Sequence, residues 1–263
     1  MTIHILGDKR KSRFDPDLAD RVNKRVEEEE RRELLEQKLR EVRGETEPEV
    51  SPAVEPESAA PSGTGIQVYT RIDASTYAVG INELHKLNQE PFRFKENLQA
   101  RLEQPDLYDT WLDSRCGIAY KAGTTKIKII PDCQQLKDIS VNFKAAFLSV
   151  PYSSLSGVAL DTAQGKWNQP LTPAEIIVHP GWIAAVEGDI DLLQRYVTQT
   201  FAAHQAHYGA IERLMGFYVV IAPAEDQLRA LYVVNLNYRS IAYGYGSLVD
   251  YGSFLRRVAP VVR

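Results

Sequence analysis

Three histidines and a run of acids are the first candidates for chemistry. His204 and His207 stand three apart in a segment with helical periodicity, a spacing that can present two ring nitrogens to one metal ion. His179 precedes Pro180-Gly181, a sharp break at which an imidazole could serve as general base. Glu187, Asp189 and Asp191 put three carboxylates in five residues, enough for an acid and base pair or a divalent cation. Each has a plainer explanation. His204 falls on an apolar stripe, His179 can bond a backbone carbonyl at the kink, and acids at a helix start complement its dipole. No third ligand is fixed by spacing, so no metal or cofactor is assigned. An enzyme, such as a metal-dependent hydrolase using His179, Glu187 and Asp189 with His204 and His207 as ligands, is the rival reading.

The other constellation is aromatic. Tyr238, Tyr243, Tyr245 and Tyr251 lie among glycines, preceded by Asn235, Asn237 and Arg239. Aromatic rings beside amides and flexible backbone can form a platform for a peptide, a base or a sugar. Phosphate-loop, nucleophile-elbow and H-E-x-x-H signatures are absent, and no stretch carries a family pattern.

The elements that must position these residues follow from the distribution of charge. Residues 1–64 contain 12 Lys+Arg and 16 Asp+Glu, leaving 19 of each for the rest. The whole formal charge of −4 therefore sits in the first quarter, and a neutral remainder has no bulk attraction for nucleic acid. Residues 1–44 read as a charged, partly helical arm, with an apolar hook at Ile3, Ile5 and Leu6 and helical faces around Val22 and Leu39. A charged gap from Glu27 to Glu33 breaks any coiled-coil seam. Residues 45–65, with four prolines, read as a disordered linker whose root-mean-square reach is roughly 25 Å.

Residues 66–263 read as a compact α+β domain, a mainly antiparallel sheet with packed helices. Strands are expected at 66–72, 117–121, 125–131 and 157–160, and a hairpin from 217–222 and 228–238. Helices are expected at 75–88 and 92–103, after the capping box at Thr172, and at 190–214, with a last helix over 253–258. Cys116 and Cys133 are expected as free thiols, with Cys116 facing a residue near Ile130.

The expectation is an adaptor or structural component that docks on a protein or assembly through residues 1–44. A cytoplasmic location follows from the lack of a signal peptide or apolar span. Nucleic acid is disfavoured, and a homo-oligomer is compatible with the composition.

Overall fold

The computed structural model describes residues 68–258. Ile3, Ile5, Leu6, Val22 and Leu39, with the expected arm helix and linker, lie outside the described residues. Those that are described form an α+β domain.

The domain opens with β1 (Val68–Ala74), and α1 (Tyr77–Lys86) follows, capped by Thr76, whose hydroxyl accepts from Val79 N at 3.2 Å. Next comes α2 (Phe94–Glu103), where the Glu96 carboxylate reaches back to the Arg93 N–H at 2.7 Å. The hairpin of β2 (Leu112–Tyr120) and β3 (Lys126–Ile130) forms as the alternation of Ile127 and Ile129 with lysines predicts. Gly117, one residue on from Cys116, faces Ile130, and both cysteines are buried and free.

After α3 (Gln134–Lys137) the chain passes through a long connection, broken by a short 3-10 turn at Tyr152–Ser154, to β4 (Val158–Asp161). The capping box at Thr172 starts α4 (Pro173–Ile177), and α5 (Pro180–Ala185) turns away at the proline. Asp189 caps α6 (Ile190–Tyr208), which buries Leu193, Tyr196, Val197, Thr200 and His204 along one face. Four strands close the domain: β5 (Phe217–Tyr218), β6 (Gln227–Val233), β7 (Ala242–Tyr243) and β8 (Gly252–Val258).

Three expectations fail for identifiable reasons. The helix predicted to 214 ends at Gly209, whose φ of 88° and ψ of 174° belong to a region that only glycine occupies readily, so Ile211 and Met215 leave the stripe. The segment 217–238 is not a hairpin: β7 lies between β5 and β6, pairing parallel with the first and antiparallel with the second. The connection docks on the β2–β3 turn instead, through Gly123 N to Pro223 O and Ala122 N to the Asp226 carboxylate. The closing helix is a strand. β8 pairs with β1 along seven residues, Ala74 to Gly252 through Val68 to Val258. Its neighbours Phe254 and Leu255 are both fully buried but enter different cores, an arrangement that alternating strand side chains provide.

The result is two sheets, a ribbon of β1 and β8 and a six-stranded mixed sheet in the order β4-β3-β2-β6-β7-β5. The larger sheet separates two apolar cores. Leu231 and Val233 enter the one that holds α2 and α6; Leu228 and Ala230 enter the one under α1 and β8. Among the described residues, no helix is long and apolar enough to cross a membrane.

Candidate functional site

Successive side chains of a strand alternate between faces, so Tyr232 shares its face with Leu228 and Ala230. Those two are covered; Tyr232 is only half-buried. The register sets Asp113 of β2 opposite Tyr232, and Tyr232 opposite Tyr243 of β7. An acid and two tyrosines thus stand side by side across three strands.

The β2–β6 ladder is irregular between Asp113 and Gly117. The buried Ser114 closes that bulge, its hydroxyl donating to Leu231 O at 2.5 Å and accepting from Cys116 N at 3.2 Å. Asp113 is tied from both sides, its carbonyl by Asn97 Nδ2 at 2.9 Å and its carboxylate by the Ser253 N–H at 2.8 Å. Bulges of this kind commonly adjust where one side chain is aimed beside a site.

Aromatic rings continue the file. Trp111 stacks on Tyr232 with centroids 6.0 Å apart and planes at 18°, and Tyr238 meets Trp111 edge-on at 5.6 Å. Tyr243 lies 5.0 Å from Tyr232, and Tyr245 lies 4.2 Å from Tyr243. Trp111 is 44% and Tyr238 58% exposed, a large apolar area left in water.

Specific backbone anchors hold the file. Tyr238 sits on a turn in which Asn235 Oδ1 accepts its N–H at 3.3 Å, Arg239 and Ser240 both adopt positive φ, and Leu236 N donates to Tyr108 O at 2.7 Å. Arg229 holds the next loop by donating to the carbonyls of Tyr245 and Gly246 at 3.0 and 3.2 Å. At Gly246 a Cβ would lie 2.4 Å from the Tyr232 ring, so the backbone there packs as closely as glycine alone permits.

Behind the file, Arg101 is wholly buried on α2. It donates to the Tyr196 hydroxyl at 2.8 Å and to the carbonyls of Thr110 and Val233, which adjoin Trp111 and Tyr232. The guanidinium therefore fixes the two segments that carry the stacked pair.

A groove of about 340 Å3 opens beside Trp111 and Tyr232, with Arg71 and Asp73 of β1 on the far wall and Asp250 and Tyr251 on the rim. Arg71 pairs with Asp73 at 2.7 Å, and the Ser253 hydroxyl donates to Asp73 at 3.0 Å. Burial at the groove floor pushes the Asp113 carboxyl up to about 7, with the Ser253 N–H opposing it.

The histidines and acids singled out from sequence are engaged elsewhere. His179 caps α5: its Nδ1 accepts from the Gly181 N–H at 3.1 Å, so Nε2 carries the proton and faces Lys166 O at 3.1 Å. Burial holds the ring down at about 4, and Trp167 and Phe217 enclose it. Glu187 is held by Arg93 at 3.1 Å and Lys95 at 3.3 Å. Asp189 accepts from Leu192 N at 3.0 Å as the cap of α6. His204 Nδ1 lies 3.3 Å from Gly209 O at the other end of that helix, and His207 lies beside Tyr208. Among the described residues, no three His, Cys, Asp or Glu side chains gather as a metal site.

Of the tyrosines named from sequence, Tyr238, Tyr243 and Tyr245 belong to the aromatic file and Tyr251 to the groove rim. Trp111, Asp113 and Tyr232 were missed. The alternation of Leu112, Ser114 and Cys116 with Trp111 and Asp113, which puts those two on the opposite face, was the signal available for them.

Neither a protein-family model nor a curated protein sequence matches the chain. The structure is similar to a solved structure described as the accommodation of massive sequence variation in Nanoarchaeota by the C-type lectin fold. That likeness has a TM-score of 0.57 and 16% identity, and covers 73% of this chain and 98% of the other. The described domain is thus an α+β fold that resembles the C-type lectin fold.

Proposed function

We propose that the chain is a protein-binding component whose folded domain presents the aromatic file and adjoining groove to a partner. The observation that carries this reading is the exposure of Trp111 and Tyr238 on a rigidly anchored frame. Burying them against a partner would gain roughly 25 cal/mol per Å2, and rigid aromatic anchors lose little entropy on binding.

Residues 1–44 complete the proposal as a second attachment, through Ile3, Ile5, Leu6, Val22 and Leu39, that docks the chain on a larger assembly, with the linker setting the range of the domain. A cytoplasmic assembly is the proposed setting.

The test is partner recovery from matched extracts by three proteins: the full chain, residues 65–263, and the full chain carrying Trp111→Ala with Tyr238→Ala. Partners that depend on the arm disappear from the second, and partners that depend on the groove disappear from the third while its circular dichroism is unchanged. Equal recovery by the first and third would refute the groove as the binding surface.

A further inference from the structure

We infer that the groove selects a cationic side chain, the guanidinium of an arginine in a partner protein. The inference deepens the binding role proposed above and rests on it. Among the described residues, four carboxylates line the groove, Asp73, Asp109, Asp113 and Asp250, against one cation, Arg71. Arg71 is already matched by Asp73 at 2.7 Å, which leaves Asp109, Asp113 and Asp250 in the lining without a lining cation among the described residues. This excess is local. Residues 65–263 carry 19 acids and 19 bases, so the surrounding domain does not impose it.

The walls fit the same group. The Trp111 indole keeps 44% of its surface exposed at the edge of the groove, and a planar cation stacks on an indole more favourably than on any other side chain. A guanidinium also offers paired N–H donors to a carboxylate, and the Asp113 carboxylate, whose Oδ2 accepts from the Ser253 N–H at 2.8 Å, lies on the groove lining. A volume of about 340 Å3 is at the small end of ligand sites, which suits one long side chain.

Charge in the groove gives the selection a pH signature. Asp113 shares the groove with Arg71 and Asp73 from β1, Tyr77 from α1, Asp109, Tyr232 from β6, and Asp250 and Tyr251 from the last segment, and accepts from the Ser253 N–H. Its carboxyl titrates near 7 because burial disfavours the anion. An entering guanidinium favours the anion, so binding releases a proton, and affinity falls as pH drops from 8 to 6. Arginine itself keeps its charge throughout that range.

The experiment uses the full chain and two probes, acetyl-arginine amide and its neutral counterpart acetyl-citrulline amide, read by the indole N–H resonances in NMR. The signal of Trp111 is identified by Trp111→Phe. Trp167 and Trp182 serve as internal references, because their N–H groups are bonded inside the fold to Gln164 O and Met215 O. Reading at Trp111 also separates the groove from the acidic first quarter of the chain.

The arginine probe is expected to move the Trp111 signal saturably, with affinity about tenfold above that of citrulline. Asp113→Asn should remove most of that preference together with its pH dependence. Asp250→Asn, at an exposed rim position, should lower affinity without altering the pH dependence. Equal shifts by both probes, no shift at all, or an Asp113→Asn protein that keeps the preference would each overturn the inference. If the probes fail while Trp111→Ala with Tyr238→Ala still abolishes partner recovery, the groove binds something other than a cation. If both fail, the groove is not the site.

Discussion

His179 and Asp113 illustrate how environment, more than residue type, assigns roles. Both are ionisable groups pushed toward neutrality by burial, but in opposite directions on the pH scale. His179 has its folded value near 4, against about 6.5 in an unfolded chain, so the unfolded state takes up a proton that the folded site refuses. Its contribution is intact above pH 6.5 and is lost as pH falls toward 4, by about 3 kcal/mol. Asp113 has the reverse sign. Its folded value near 7 lies above the usual carboxylate range, so it contributes stability at low pH that is lost as pH rises through 7. Asp113→Asn is therefore expected to stabilise the protein at pH 8, on the order of 1–2 kcal/mol after allowance for solvent at the groove, and to give no gain at pH 4. Urea unfolding midpoints at the two pH values would show this, because urea brings no cation to the groove, and an equal effect at both would contradict it. A residue that lowers stability at neutral pH while lining a groove is consistent with a binding role.

Element boundaries depend on single backbone positions, and Gly209 is the clearest. The apolar spacing from Leu193 through Met215 favours a longer helix, and local pattern alone cannot show that the chain must turn back at 209. Gly209→Ala should cost roughly 1–3 kcal/mol, because an alanine must adopt a backbone conformation reserved for glycine. A denaturation midpoint that stays unchanged would mean that the turn relaxes freely. The same contrast explains what could be read from sequence elsewhere. The hairpin of β2 and β3, the Thr172 capping box and the Asp189 cap were legible because each depends on residues a few positions apart. The pairing of β8 with β1 was not. It joins residues more than 170 positions apart, and Ser253-Phe254-Leu255-Arg256 has no period that separates strand from helix. The site was half legible for the same reason. Tyr238, Tyr243, Tyr245 and Tyr251 lie close together in sequence, whereas Trp111 and Asp113 join Tyr232 only through strand register.

At the scale of the whole domain, a two-core fold leaves one sheet face partly uncovered, the face proposed as the binding surface. α1 and β8 cover Leu228 and Ala230 but leave Tyr232, Trp111 and Tyr238 accessible, and the buried Arg101 anchors the segments beneath them. Contact of the domain with a partner is therefore expected on one side of it. Val178, 69% exposed and outside the groove lining, provides the control surface. The most direct test is photo-crosslinking with a benzophenone side chain placed at position 238 in one protein and at position 178 in another, each mixed with the partner recovered on the full chain. A discrete adduct is expected from position 238, abolished by Trp111→Ala in the same chain, and none from position 178. An adduct from position 178 alone, or equal yields from both positions, would contradict it.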